Sequence, residues 1–260
     1  MTETIRTEID ARGVAHLWLA RAEKHNALSA QMMDEITAAI GALGADPAVR
    51  VVVLAAEGAS FCAGGDLKWM QAQMTASAEE RAAGARRLAG MLSALDRCPK
   101  PVIGRVQGNA FGGGIGMMSV CDVAVGVTGA RFGLTETRLG LTPATISPYV
   151  VARMGPAKAR RVFMSSRLFE ADEAEALNLL ARVVAPTDLD AAIEAEVEPY
   201  LSCAPGAVAD AKALIRRLAP PIDAAVQEAT VAALVARWES AEAGEGIAAF
   251  FDRRKPGWCA

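Results

Sequence analysis

The sequence predicts an α/β fold in which a core of strands and helices is followed by a C-terminal part built of helices. Three observations predict it. Residues 51–56 form a continuous apolar run of strand length, which suits a strand buried on both faces. Two further short apolar runs, 101–106 and 122–127, alternate with segments of helical spacing. From Pro143 onward the apolar residues recur almost throughout at helical spacing. Strands with helices first, then helices alone, argue for a mixed core with a helical end.

Each element has its own signal. Ile5, Thr7 and Ile9 alternate with period two, as do Val14, His16 and Trp18, and Ala11-Arg12-Gly13 between them reads as a hairpin turn. Residues 21–26 follow as a loop. Met32, Met33, Ile36, Ile40 and Leu43 then share one helical face, with Ser29 as N-cap and Gly44 as the stop. Residues 58–66 are a glycine-rich loop and 78–95 a long helix. Phe111-Gly112-Gly113-Gly114 leads from the strand at 101–106 into an apolar helical stretch at 115–120. Helical spacing returns at 156–164, 171–180, 188–202, 205–218 and 222–241, in an Ala-rich composition that favours helix.

Composition excludes several classes. A chain of 260 residues permits one large domain or two small ones. The formal net charge of −3 lacks the footprint of a nucleic-acid binder. The basic clusters Arg86-Arg87, Arg160-Arg161 and Arg253-Arg254-Lys255 read as solvated helix faces. No uncharged apolar run reaches the length of a membrane span. The polar start lacks the features of a secretory or transit signal, so a cytoplasmic location is expected. The five cysteines contain no CxxC pair and the histidines are only two, so no metal site is expected.

Three segments carry chemistry: Phe61-Cys62-Ala63-Gly64-Gly65-Asp66-Leu67-Lys68, then Gly108-Asn109-Ala110-Phe111-Gly112-Gly113-Gly114, then Phe132-Gly133-Leu134-Thr135-Glu136-Thr137-Arg138-Leu139-Gly140. The triple glycine sits between a strand and an apolar helix. The first amides of a helix have no intrahelical partner and carry the positive end of its dipole. Glycine there lets a ligand approach the backbone, which makes a site for developing negative charge. Gly65, ahead of Asp66 as a possible N-cap, offers a second amide. The glycines also fit a plain tight turn. They do not fit a dinucleotide fingerprint, a P-loop or a serine-hydrolase elbow. Glu136 stands alone in an apolar neighbourhood, where a carboxylate can have a raised pKa and exchange protons.

Taken together, the order, spacing and wording of these segments resemble the crotonase (enoyl-CoA hydratase/isomerase) family. Its F-x-A-G-x-D-[LI]-K loop, G-x-x-x-G-G-G turn and F-G-x-x-E segment match Phe61–Lys68, Gly108–Gly114 and Phe132–Glu136 in that order. The closing stretch from Gly246 to Pro256 is similar to the family's G-[MI]-x-A-F-x-E-K-R-K-P ending. The resemblance implies a right-handed ββα spiral core over 1–200 holding the acyl-CoA site, and a helical C-terminal region over 201–260 used for trimerisation. It implies a homotrimer or dimer of trimers that acts on an acyl-CoA thioester. Coenzyme A is then part of the substrate and no separate cofactor is needed. Nucleic-acid and membrane partners are not expected.

Residue by residue, the resemblance places oxyanion-hole amides on Gly65 and Gly113 and the acid/base on Glu136. It places Ala63, Asp66, Leu67 and Lys68 along the acyl-CoA path, Lys24 and Ala27 on an early CoA-contacting loop, and Phe250 and Arg253 near the CoA nucleotide. One departure matters. Hydratases of the family usually carry a second glutamate twenty residues upstream, and here that position is Gly116. Hydration of a 2-enoyl-CoA is the expected reaction. Two alternatives are a 3-enoyl/2-enoyl-CoA isomerase with Glu136 as sole acid/base, and a non-catalytic CoA-binding or scaffold member. The runs Leu67-Lys68-Trp69-Met70 and 135–150 are closest in wording to the methylglutaconyl-CoA hydratase-like branch.

Overall fold

Strands β1 (Ile5–Ile9) and β2 (Val14–Leu19) form the expected antiparallel hairpin, its turn held by Asp10, whose Oδ1 accepts from the Arg12 and Val14 N–H groups. The computed structural model describes residues 2–259. Helix α1 (Ala30–Ala45) starts where Ser29 accepts from the Met32 N–H, and it buries the five apolar residues of its predicted face. It runs one residue past Gly44, which abuts Pro99 instead of stopping the helix.

Three successive strand pairs then build two sheets. β3 (Val51–Ala56) is followed by β4 (Ser60–Cys62), helix α2 (Leu67–Thr75) and helix α3 (Ala78–Arg97). β5 (Val102–Val106) is followed by β6 (Asn109–Phe111) and helix α4 (Gly113–Val120). β7 (Val123–Val127) is followed by β8 (Arg131–Gly133), a 3-10 turn at Glu136–Leu139 and helix α5 (Ser147–Met154). The first strand of each pair enters a large sheet and the second a small one, so the chain winds as a ββα spiral. β3, β5 and β7 are parallel neighbours in the large sheet, and β4, β6 and β8 are parallel neighbours in the small sheet. Every residue of β3 is buried, as a strand covered on both faces requires.

The second half departs from an all-helical reading. Helix α6 (Pro156–Ala159) and helix α7 (Ala171–Ala176) are shorter than their spacing suggested. Between them β9 (Phe169–Glu170) closes the small sheet, antiparallel to β8. β10 (Arg182–Val184) adds a sixth strand to the large sheet beside β7. Strands of two or three residues are too short to show a period of two. β4, β6 and β8 escaped for the same reason. α2 was missed because it buries no apolar residue: Leu67, Trp69 and Met70 line a cavity and Met74 is exposed, which leaves little amphipathic pattern.

Helices α8 (Leu189–Leu201), α9 (Pro205–Leu218), α10 (Ala224–Trp238) and α11 (Ala241–Phe251) complete the chain. α10 packs on α3, and α11 packs on the 3-10 turn that begins with Glu136. A small apolar cluster of Leu141, Trp238, Ala243 and Ile247 seals this contact, separate from the main core. The approach is as close as backbones allow. A Cβ on Gly246 would strike the Leu139 carbonyl group, and one on Gly140, whose φ is +72°, would strike that of Glu242. Arg237 ties the junction by donating to the Gly140 carbonyl from Nε at 3.0 Å and from Nη2 at 2.6 Å. Among the described residues no helix is long and apolar enough to cross a membrane.

Gly140→Ala should therefore destabilise the protein by at least about 1–3 kcal/mol, the cost of a left-handed non-glycine residue before any clash is counted. Urea denaturation monitored by tryptophan fluorescence measures it. An unchanged midpoint would contradict the close approach.

Candidate active site

Two loops are tied together before they form a site. Asn26 is fully buried, and its Nδ2 donates to the carbonyls of Glu57 and Ser60 at 2.8 and 2.9 Å while its Oδ1 accepts from the Arg21 N–H. This pins residues 21–28 beside residues 57–66. The Leu28 N–H donates to the Gly64 carbonyl at 2.8 Å, and the Asp66 N–H donates to the Leu28 carbonyl at 3.0 Å. That is one rung of parallel pairing centred on Leu28 and Gly65. In such a rung the central residue's own N–H faces away from its partner strand. The Gly65 N–H accordingly has no acceptor among the described residues.

Asp66 caps α2, with Oδ1 accepting from the Lys68 and Trp69 N–H groups at 2.9 and 3.2 Å, and its Oδ2 pairs with Arg21 at 3.0 Å. Burial pushes its pKa up, but the Trp69 amide, Arg21 and the Lys68 amide outweigh burial and hold it below the ordinary value. Its carboxylate is thus engaged in positioning the loop.

The second amide comes from α4. Gly112 has φ +47° and ψ −112°, a conformation closed to side-chain-bearing residues, and this turns β6 into the helix. Gly113 is the first helical residue, and its N–H has no acceptor among the described residues. The carboxyl of Glu136 lies directly on Gly112: a Cβ there would sit 2.8 Å from Oε1. Glu136 is partly exposed as a residue, yet its Oε2 is buried and has no hydrogen-bond partner among the described residues. Burial pushes its pKa up to about 7, offset only in part by its own backbone N–H.

These groups share one cavity of about 400 Å³. Of the residues singled out from sequence, Ala63, Gly65, Leu67, Gly113, Glu136 and Phe250 line it. Lys24, Ala27, Asp66, Lys68 and Arg253 do not; Lys24, Lys68 and Arg253 are exposed, and Ala27 and Asp66 are buried in the paired loops. Leu67 and Phe250 are large apolar side chains about half exposed at the wall. Trp69, Met70, Leu88, Leu234 and Trp238 supply apolar surface, and Arg138 is the one basic side chain on the wall among the described residues.

Gly116 is buried in α4, and the space beside it is filled. A Cβ at 116 would lie 2.7 Å from Ile146 Cγ2 and 3.5 Å from Leu92 Cδ2. Ile146 itself lines the cavity, so an apolar wall stands there. Sequence reasoning missed Asn26, Ile146, Trp238 and Arg138. Asn26, between Lys24 and Ala27 on the early loop, was within reach, because asparagine in a loop readily bonds backbone groups and tolerates the left-handed conformation it has here, φ +53°.

The family described as enoyl-CoA hydratase/isomerase matches residues 10–260. A Thermus thermophilus relative given the provisional name enoyl-CoA hydratase is 34% identical over 96% of this chain and 98% of its own. A crotonyl-CoA hydratase from Syntrophomonas wolfei is 31% identical over 93% of each chain. The crystal structure of an enoyl-CoA hydratase from Shewanella pealeana superposes with a TM-score of 0.82 at 36% identity, covering 99% of this chain and 97% of that one.

The raised pKa of Glu136 has a consequence for stability. The unfolded chain ionises this group near the ordinary value of 4.5, while the folded chain holds the proton to about 7. Its contribution is therefore fully present below pH 4.5, is lost as pH rises to about 7, and stays lost above. Glu136→Gln removes that dependence. Relative to wild type, the variant should gain on the order of 1–3 kcal/mol between pH 4 and pH 8. Denaturant titrations at both pH values measure it, and a pH-independent difference would refute a buried carboxyl.

Proposed function

The chain belongs to the enoyl-CoA hydratase/isomerase family, and from that premise we propose that it adds water across the 2,3 double bond of an enoyl-CoA thioester. One observation carries the reading: two backbone amides without acceptors among the described residues, on Gly65 and Gly113, and a buried carboxylate oxygen likewise unpartnered, on Glu136, share one largely apolar cavity. The amides would hold the thioester oxygen as it gains enolate charge, an interaction worth about 3 kcal/mol per donor in comparable sites. Ionised Glu136 takes a proton from water as the water oxygen bonds to C3. The π pair moves toward the thioester, and Glu136 returns the proton to C2. The carboxylate is regenerated, and no other reagent is consumed.

The exposed cations Lys24, Lys68 and Arg253 suit the phosphates of coenzyme A, with Ala27 and Asp66 shaping the loops beneath them. A short or branched acyl group like methylglutaconyl fits this reading, since Arg138 on the wall would complement an acidic chain end. One observation favours the isomerase alternative: with Ile146 against Gly116, the cavity has a single side-chain carboxylate among the described residues, which is sufficient to move a proton between C2 and C4. The division into a spiral core over 1–200 and a helical region over 201–260 belongs to the same proposal, as does assembly as a trimer or dimer of trimers. Leu214, Ile215 and Leu218 of α9 are 49%, 69% and 79% exposed, and α9 buries no residue in the single chain, which supports an intersubunit role. Free thiols at all five cysteines suit a reducing, cytoplasmic setting.

A panel of short, long and branched enoyl-CoAs in water enriched in heavy oxygen separates the readings. Mass gain in the acyl product is expected; a double-bond shift without mass gain would assign isomerisation, and binding without turnover a scaffold role. On the substrate so found, Glu136→Gln should lower turnover at least ~100-fold. Since the ionised form is required, kcat/KM should fall about tenfold per pH unit below about pH 7. A rate unchanged from pH 8 to pH 5 would remove Glu136 as the base.

Light scattering at micromolar concentration should give the mass of three or six chains. A monomer would overturn the assembly.

A further inference from the structure

We propose that the Thr145 hydroxyl positions the attacking water against Glu136, taking the place of the carboxylate absent at Gly116. The inference rests on the hydration reading above. Four buried side-chain polar atoms have no hydrogen-bond partner among the described residues: Trp18 Nε1, Gln107 Oε1, Glu136 Oε2 and Thr145 Oγ1. Only the last two belong to residues on the cavity wall. Thr145 is 3% exposed and lies in the turn into α5, fixed by the Ser147 N–H donating to the Ala144 carbonyl at 3.0 Å. Buried hydroxyls are nearly always partnered, so an unpartnered one on a cavity wall points to a partner delivered by the cavity's occupant. Ser119 Oγ donates to the Ile115 carbonyl at 2.8 Å and Ser147 Oγ to the Ala144 carbonyl at 2.6 Å, so both are already used. Thr135 and Thr142 also line the cavity, but of the wall hydroxyls Thr145 is the buried one without a partner among the described residues.

The chemistry of the pair is complementary. Ionised Glu136 only accepts, and it takes one proton of the water. A hydroxyl both accepts and donates, so Thr145 can take the second proton in a hydrogen bond. A water held by both protons turns a lone pair toward C3. As the O–C3 bond forms, one proton passes to Glu136 and later to C2, while the other stays on the new hydroxyl. Thr145 is a positioning residue in this scheme: it gains and loses no proton.

The test compares Thr145→Val, which keeps the shape and removes the hydroxyl, with Thr145→Ser, which keeps the hydroxyl. Two rates are read in each variant: hydration of the enoyl-CoA identified by the panel, and exchange of the C2 proton of the matching saturated acyl-CoA with deuterium oxide. Exchange needs Glu136 and the amides but no attacking water. Thr145→Val should lower kcat for hydration at least about 10-fold with KM little changed, keep proton exchange near the wild-type rate, and be largely rescued in Thr145→Ser. Wild-type hydration in Thr145→Val overturns the inference. So does an equal loss of hydration and exchange, which would place the effect on Glu136 or on the fold. A wild-type protein that exchanges protons but hydrates no enoyl-CoA removes the hydration reading itself, and this role with it.

Discussion

A carboxyl group held out of water against a bare Cα is the constraint on which the site depends. Glu136 occupies the volume that any side chain at 112 would take, and Gly112 adopts a backbone conformation that only glycine tolerates. The same residue starts α4, so the turn that makes room for the carboxyl also delivers the Gly113 amide to the cavity. Burial without a partner costs the fold stability above neutral pH, and it brings the proton affinity of Glu136 near neutrality, where a group can both take and return a proton. Stability and proton affinity are here two readings of one desolvated oxygen.

The rest of the fold can be understood as support for that oxygen. The ββα winding places the ends of β4, β6 and β8 side by side, so loops distant in sequence meet at one end of the small sheet. The Leu28–Gly65 rung orients one amide by using its neighbours' hydrogen bonds and leaving its own donor over. Asp66 and Asn26 hold that rung from either side. From the other end of the chain, α11 clamps the turn carrying Glu136 through Gly140 and Gly246, and α10 contributes Leu234 and Trp238 to the wall. The C-terminal helices are therefore part of the site in the single chain.

The legibility of these features in the sequence follows their physics. β3 was readable because a strand covered on both faces must be apolar at every position, and α1 because its core face keeps a helical period over four turns. The two- and three-residue strands of the small sheet carry no period to read, and their pairing is set by the winding. Glycines at 65 and 113 could be read as exposed amides, since the chemistry lies in the backbone. Ile146 could not. An apolar residue in a turn signals nothing until the fold sets it beside Gly116. Thr145 was legible only as one hydroxyl among several near the site, and the fold alone leaves it on the cavity wall without a partner among the described residues.

Gly116 and Ile146 have to be considered as a pair. A carboxylate at 116 would need the volume that Ile146 Cγ2 now fills, so the missing glutamate leaves no vacancy in this chain. Its place is taken by packed hydrocarbon, so no like charge stands there to couple to the remaining carboxyl. Restoring the glutamate alone would therefore crowd α4 against the turn at 142–146 before it added a base. On the proposed hydration reading, a polar group that serves water in this cavity has to come from elsewhere on the wall. The turn that carries Ile146 into the gap also carries the hydroxyl of Thr145, so a single segment both closes the position of the second carboxylate and brings a polar group to the same wall.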